Sequence, residues 1–190
     1  MQLLFDPHKS GANASRWNLK GNTMLKVDVT QLSLDVVDLW MNRWLLLTAG
    51  TLDDCNMMTV AWGSVGWMWS KPFAQIVVRP QRHTFNYMEQ SDSFTLCAFP
   101  EKYRQDLQTL GTLSGRDGDK LPKTDLTLRE SQSVSAPSYC EADLILECRK
   151  IYCQDMDPGG FIDRTIPDNY PAKDYHRIYF GEILAVFCEK

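Results

Sequence analysis

Short apolar segments separated by polar turns recur along the chain, and most of them have the length of a strand. They predict strands at residues 44–50, 57–62, 73–78, 94–99, 142–152 and 175–187. Asp53 and Asp54 lie between the first two segments, which are therefore expected to form a hairpin. Many short strands with few helices indicate an all-β barrel or sandwich.

Two of these segments have patterns that predict their surroundings. In residues 142–152, Leu144, Leu146 and Cys148 alternate with charged residues such as Glu147, so one face of the strand is expected to meet solvent. Residues 175–187 are almost continuously apolar or aromatic, which is expected of a strand at the centre of a sheet or at an interface.

Two short helices are predicted between the strands. Thr84 is a suitable N-cap for a helix that begins at Phe85 and continues to about Glu89. The second helix, which Gly111 is expected to end, has the spacing of one helix face at Tyr103, Leu107 and Leu110.

Length and composition fit one soluble globular domain. The chain has 190 residues, of which 44% are hydrophobic and 23% charged. A net charge of -4, a pI near 5.4 and the lack of a basic stripe argue against a nucleic-acid-binding protein. No apolar stretch is long enough for a signal segment or a membrane helix.

The six cysteines and three histidines show neither a C-x-x-C pair nor the spacing of metal ligands, so no metal site is predicted. Cys148 and Cys153 are expected to be free buried thiols on opposite faces of one strand. Together with the lack of a signal peptide, this predicts a reducing, cytoplasmic location.

A cationic segment follows the apolar strand at residues 73–78. Arg79, Arg82 and His83 precede Thr84, whose helix directs free N–H groups at the same place. This arrangement suits a phosphate. The alternative is that both arginines are solvated charges at a strand end and that Thr84 only caps a helix.

Residues 56–72 have an unusual composition, with three tryptophans, three methionines and two glycines. Glycine inside a strand indicates that a ligand or another backbone approaches closely, and Ala61, Gly63 and Ser64 leave room for a flat ring. The alternative is a buried strand at a subunit interface, where Trp and Met are also enriched.

The polar loop at residues 114–120 has donors in Arg116 and Lys120 and acceptors in Asp117 and Asp119. Such groups are of use to a ligand. A solvated turn explains the same residues, because Gly and Asp are common turn formers.

Several blocks, in order, resemble the flavin reductase-like proteins and, among them, the flavoredoxin-like branch. They are residues 44–50, 56–63, 71–72, 79–84, 114–120, 148–150, 170–171, 174–177 and 181–183. The resemblance implies a Greek-key split β-barrel with a few short helices, which forms a homodimer and holds FMN at or near the subunit interface. The domain is expected at residues 24–190, and residues 1–23 are expected to be an extension that is flexible or precedes the true start.

The needs of FMN, together with this resemblance, suggest site residues. Its phosphate requires cationic donors and free N–H groups, expected from residues 82–85 (Arg82, His83, Thr84 and Phe85) and from Arg79. Lys120 is a further candidate for a flavin or nucleotide phosphate. The isoalloxazine is expected beside Asn56, Thr59, Val60, Ala61, Trp62, Gly63 and Ser64.

His176 is the candidate catalytic residue. It lies five residues before Gly181 and resembles the histidine of the H-x-x-x-x-G-x-[VI] strand in flavin reductases, which lies near the flavin and the nicotinamide. A structural histidine is the alternative.

The resemblance implies an FMN-binding oxidoreductase that transfers hydride or electrons from NAD(P)H, through bound flavin, to a second acceptor. Because G-x-G-x-x-G is absent, the nicotinamide is expected to dock transiently against the flavin. One alternative is a flavoredoxin-like FMN electron carrier that a partner protein reduces. A dimeric β-barrel without cofactor is the other.

Overall fold

The computed structural model describes residues 16–19 and 22–189. Its strands are β1 (Arg16–Leu19), β2 (Asn22–Val27), β3 (Leu45–Gly50), β4 (Cys55–Val60), β5 (Gly63–Met68), β6 (Lys71–Val78), β7 (Ser93–Ala98), β8 (Leu128–Arg129), β9 (Ser138–Tyr139), β10 (Leu144–Asp155) and β11 (Arg177–Glu189). Its α-helices are α1 (Val36–Asp38), α2 (His83–Gln90) and α3 (Arg104–Thr112). The predicted mainly β fold with few short helices is confirmed.

Nine strands form one antiparallel sheet, whose main path runs β1-β2-β11-β10-β7-β3-β4. The β5–β6 hairpin joins it through β11. One end of β11 pairs with β6, from Arg177 to Glu182, and the other pairs with β2, from Val186 to Glu189. β10 pairs along most of its length, so β11 is a central strand, as its apolar sequence predicts.

Apolar side chains are buried on both faces of the sheet. Leu45 and Leu47 of β3 belong to one core cluster, whereas Leu46 belongs to another with Leu107 and Leu110 of α3. All six residues of β3 are buried. This explains why its sequence is a continuous apolar run instead of an alternating one.

The prediction that β10 has one face exposed along its length is wrong for its first half. Glu147 is fully buried, and its carboxylate accepts hydrogen bonds from Gln132 N at 2.9 Å and Ser133 N at 2.7 Å. The connection between β8 and β9 covers this face and supplies the backbone donors that bind the carboxylate. Arg149 on the same face is exposed as predicted, and the end of the strand is exposed from Tyr152 to Asp155.

Gly111 does not end α3, contrary to the prediction. The helix continues to Thr112, and its C-cap, Leu113, is extended with φ -74°. A Cβ on Gly111 would lie 3.0 Å from Thr59 Cβ, so glycine here allows α3 to pack closely on β4. The position is occupied by glycine for close packing and not for a left-handed cap.

Residues 63–68 form a separate strand that the sequence pattern does not distinguish from its neighbours. Trp69 and Ser70 make the turn to β6, with φ of 54° and 57°. Trp67 and Trp69 are exposed at this end of the hairpin. They lie at the end opposite to Gly63, which pairs with Ile76.

Cys55, Cys97, Cys148, Cys153 and Cys188 are free thiols. Cys148 is buried as predicted, but Cys153 is exposed because β10 extends beyond the covered part of the sheet. No helix in the described part of the chain is long and apolar enough to cross a membrane. Of the predicted extension at residues 1–23, residues 1–15, 20 and 21 lie outside the described residues, and β1 pairs with β2.

Candidate functional site

Two adjoining clefts lie where β4, β6, β11 and α2 meet. The first, the β4 cleft, has a volume of about 220 Å³ and is lined by residues 58–62 with Val77, Arg79, Arg82 and His176. The second, the helix cleft, has a volume of about 400 Å³ and is lined by residues 81–84 and 110–116 with Asn56, Met58 and Lys120. Met58 and Arg82 line both clefts, which are therefore neighbours.

The start of α2 forms one wall of the helix cleft. Arg82 N donates to Arg79 O, and Phe85 N donates to Arg82 O, each at 3.0 Å, so the chain turns directly after β6 and the helix begins at His83. The prediction that Thr84 is the N-cap is wrong, because Arg82 is the cap residue and Thr84 is buried in the first turn. The free N–H groups of that turn still favour an anion.

Thr84 instead fixes the wall of the helix cleft. Asn56 of β4 donates from Nδ2 to Thr84 Oγ1 at 2.6 Å, and both side chains are buried. A Cβ on Gly115 would lie 2.2 Å from Asn56 Oδ1 and 2.8 Å from His83 Cδ2. The strand, the helix and the turn at Gly115 therefore meet with no space for another side chain.

Arg79 is held by the segment that precedes β11. Its Nη1 pairs with Asp174 Oδ2 at 2.7 Å, and its Nη2 donates to Asn169 O at 2.9 Å. Gln81 Nε2 donates to the same Asp174 oxygen. The hydrogen bond to Arg79, followed by that to Gln81, lowers the pKa of Asp174. Arg79 thus already has an anionic partner within the chain.

Lys120 and Arg116 also use hydrogen bonds to backbone carbonyls. Lys120 is buried, and its Nζ donates to Leu110 O at 2.8 Å and Leu113 O at 3.2 Å, at the C-terminal end of α3. Burial, and to a smaller extent Arg82, lowers the pKa of Lys120 to about 8. Arg116 Nη1 donates to Gln81 O at 2.6 Å.

Arg82 differs from these three cations. Its side chain is exposed and makes no hydrogen bond or ion pair with any residue that the structure describes. Because it lines both clefts, its guanidinium can reach a ligand that extends from one into the other.

His176 lies in the β4 cleft beside Trp62, with 5.3 Å between the ring centroids. Its Nδ1 is 2.7 Å from the Tyr170 hydroxyl. Burial is the main cause that lowers the pKa of His176 to about 4, and Arg79 acts in the same direction. The imidazole is therefore neutral at pH 7.

Most of the predicted site residues line one of the two clefts. The β4 cleft contains Thr59, Val60, Ala61, Trp62, Arg79, Arg82 and His176. The helix cleft contains Asn56, Arg82, His83, Thr84 and Lys120.

Gly63, Ser64 and Phe85 do not line either cleft. A Cβ on Gly63 would lie 2.4 Å from both Gln75 O and Trp40 Cη2, so the missing side chain makes room for Trp40. Ser64 Oγ donates to the Gln75 side chain at 3.0 Å. Phe85 packs against the core and under Arg177, whose guanidinium carbon is 5.3 Å from the ring centroid.

Several residues at the clefts have no role assigned from the sequence. Met58 lies two residues from Asn56 and from Val60 on β4, and Val77 lies two residues before Arg79. Because residues two apart on a strand share a face, the strand register is the signal for both. Thr112 is the last residue of α3 and Leu113 is its C-cap, so both follow the predicted end of the helix at Gly111. Tyr170 lies in one of the blocks that carry the resemblance, but its role has no local signal, because only the tertiary structure brings its hydroxyl to His176.

Solved structures with the same fold come from flavin-binding proteins. An FMN-binding domain of a flavin reductases-like enzyme from Shewanella baltica has a TM-score of 0.65 and 19% identity, over 88% of this chain and 78% of that one. A flavoredoxin from Methanosarcina acetivorans has a TM-score of 0.60 and 21% identity, over 78% and 69%. An NADH:FAD oxidoreductase from Streptomyces globisporus, in complex with NAD and FAD fragments, has a TM-score of 0.58 and 15% identity, over 75% and 72%.

At these identities the likeness shows the fold, which is the split barrel expected from the sequence. The family model for the flavin reductase like domain matches residues 42–190. The match begins just before β3 and includes both clefts, and it confirms the resemblance carried by the sequence blocks. The chain therefore belongs to the flavin reductase like domain family.

Proposed function

We propose that this protein is an FMN-binding oxidoreductase that holds the FMN phosphate in the helix cleft and the isoalloxazine in the β4 cleft. The observation that carries the proposal is the position of Arg82. It lines both clefts and its guanidinium has no partner among the described residues, so it is available to a phosphate. The other three cations nearby already bind groups of the protein.

A second feature of the helix cleft, the ring of His83, also suits the phosphate and the ribityl chain of FMN. His83 Nδ1 is enclosed, yet it has no hydrogen-bond partner within the described residues. A buried polar atom without a partner is costly, and a ligand hydroxyl or phosphate oxygen can supply the missing bond. The N–H groups at the start of α2 point to the same class of ligand.

The β4 cleft fits a flat polar ring. Ala61 and Trp62 lie between β4 and β5 and belong to neither ladder, so their backbone groups are available to the pyrimidine edge of the ring. Met58 and Val77 supply apolar contacts in the same cleft. The residues of this cleft would hold the ring beside His176.

FMN, when bound, supplies hydride acceptance and electron transfer, and the protein supplies binding and charge. We propose that NAD(P)H is the hydride donor and that a second acceptor receives the electrons. Arg82 adds positive charge near the ring, which favours gain of negative charge there. The oxidoreductase fold relative that was solved with NAD and FAD fragments supports this reaction class.

The second candidate is a flavoredoxin-like carrier that receives electrons from a partner protein. The observation that favours it is Trp62, which is half exposed and lines the β4 cleft. Its indole can cover a bound ring and so occupy the position that a nicotinamide would need. One of the proteins with the same fold is named a flavoredoxin.

Visible spectra of the purified protein loaded with FMN distinguish the two functions. We expect anaerobic NADH or NADPH to bleach the bound flavin, because the β4 cleft opens to solvent beside Trp62. A control with free FMN at the same concentration measures the background reaction. A flavin spectrum that neither nucleotide changes, but that dithionite bleaches, would contradict the reductase and support the carrier. A protein that binds no FMN would refute both.

We also propose that the protein is a homodimer and that the β5–β6 hairpin contributes to the interface. Trp67 is 63% exposed, Trp69 55% and Met68 40%, so three successive large apolar side chains are exposed at one end of the hairpin. Tryptophan and methionine are enriched in the cores of interfaces. A cytoplasmic location stays a prediction.

Light scattering tests the dimer. We expect a mass of twice the chain's 21.8 kDa, and we expect Trp67→Glu to shift the protein towards the monomer, because it buries a charge at the interface. Ile162→Glu is the matched control, since Ile162 is 96% exposed and lies outside the hairpin. A wild-type protein that stays monomeric at micromolar concentration would contradict the proposal.

A further inference from the structure

The His176 ring is held from one side. Tyr170 Oη and His176 Nδ1 are 2.7 Å apart, and both residues are buried. Among the described residues, the ring makes no other hydrogen bond. The second ring nitrogen, Nε2, is therefore available to a ligand in the β4 cleft, which His176 lines. The backbone is fixed as well, because Met156 N donates to His176 O at 2.9 Å.

Tyr170 is itself held by the segment before β11 and by Arg79. The Phe161 ring stacks on it with a centroid distance of 6.0 Å and an interplanar angle of 15°. The Arg79 guanidinium, which pairs with Asp174, has its carbon 5.0 Å from the centroid of the Tyr170 ring. The hydroxyl therefore has a defined position and direction.

The proton between Tyr170 and His176 can lie on either atom, and the surroundings favour oxygen. In the alternative, Nδ1 donates, and the other acceptor that the described residues offer to the tyrosine hydroxyl is Met156 Sδ, at 3.5 Å. Thioether sulfur is a weak acceptor, whereas the 2.7 Å contact to Nδ1 is at the usual length of a strong bond. Because His176 is buried, and because Arg79 and Arg82 line the same cleft, His176 is expected to be neutral. A neutral imidazole that accepts at Nδ1 carries its proton on Nε2.

We propose that Tyr170 is a positioning residue, which donates a hydrogen bond to His176 Nδ1 and so holds His176 as the Nε2–H tautomer with its donor available to the β4 cleft. The acceptor would be a carbonyl oxygen or a ring nitrogen of the flavin or of the nicotinamide. This identification of the acceptor rests on the proposed function. The tautomer does not.

Nitrogen-15 NMR of the full chain, with and without FMN, tests the tautomer. We expect the His176 ring, assigned by its loss in His176→Gln, to show the Nε2–H pattern of couplings at pH 7. Tyr170→Phe should convert it to a mixture of tautomers, because phenylalanine keeps the ring packing and removes only the donor. Tyr175→Phe is the matched control, since Tyr175 packs 5.0 Å from Tyr170 but its hydroxyl has no hydrogen bond within the described residues.

Kinetics test the consequence. We expect Tyr170→Phe to slow reduction of bound FMN by about tenfold, the order expected for one misdirected hydrogen bond, while FMN affinity changes less than about twofold. An Nδ1–H pattern in the wild type would overturn the inference, and so would an unchanged tautomer in Tyr170→Phe. If neither nucleotide reduces the wild-type protein, the reductase proposal fails, while the NMR result still decides the role of Tyr170.

Discussion

Arg82→Ala is expected to weaken FMN binding by about 10- to 100-fold, the largest effect of any single side chain at the site. A hydrogen bond to a charged group contributes about 1.5–3 kcal/mol, and each 1.4 kcal/mol changes the dissociation constant about tenfold. Because the guanidinium has no partner in the described structure, its removal leaves no protein group unpaired. The loss therefore reports contact with the ligand. Quenching of flavin fluorescence on titration with apoprotein measures it.

Two further variants define the contribution of Arg82. Arg82→Lys is expected to recover part of the affinity, because lysine keeps the charge but loses the planar pair of donors. Arg149→Ala is the matched control, since Arg149 is an exposed arginine that pairs with Glu182 and lines neither cleft. If Arg82→Ala and Arg149→Ala bind FMN equally well, the phosphate is not bound at Arg82.

Gly181→Ala is expected to destabilise the fold by about 3 kcal/mol, which is typical of strong overpacking in a core. A Cβ at this position would lie 2.5 Å from Phe94 Cζ and 2.8 Å from Cys148 Cβ. Gly181 is paired on both sides, with Ala74 of β6 and Lys150 of β10, so β11 has no free direction in which to move. Urea unfolding measures the loss, and a fall in Tm of roughly 6–12 °C is expected for a chain of this length.

Gly160→Ala is the control for Gly181→Ala. A Cβ on Gly160 would meet no atom within 4 Å, so the free energy of unfolding should stay within about 0.5 kcal/mol of the wild type. Equal stability of the two variants would mean that β11 adapts to the added methyl group. The clash at Phe94 would then not explain the glycine.

The strands can be predicted from the sequence because a strand that is buried in a sheet consists mainly of apolar residues. β3 and β11 are recognisable as apolar runs, and both are central strands. The pattern is incomplete where a loop covers a strand face. Glu147 has the alternating pattern of an exposed residue, but its partners are backbone N–H groups of Gln132 and Ser133, which no side-chain pattern encodes.

The glycines also show which features the sequence indicates and which only the tertiary structure decides. Gly63 suggests space for a ligand, and glycine is indeed needed for a close approach, but the approaching group is Trp40 of the protein. Gly111 suggests the end of a helix, but it allows α3 to approach Thr59. A sequence shows that a Cβ is absent, whereas only the fold shows which atom takes its place.

The sequence by itself determined the family and the mainly β fold, since these depend on the order of apolar strands and on local blocks of residues. The tertiary structure decided which cation is available. Arg79 and Arg82 are three residues apart and equivalent in the sequence, but Asp174, 95 positions away from Arg79, pairs with one of them only. It also decided that Tyr170 bonds His176. Such pairings depend on how distant segments cross in space, and local patterns carry no record of that crossing.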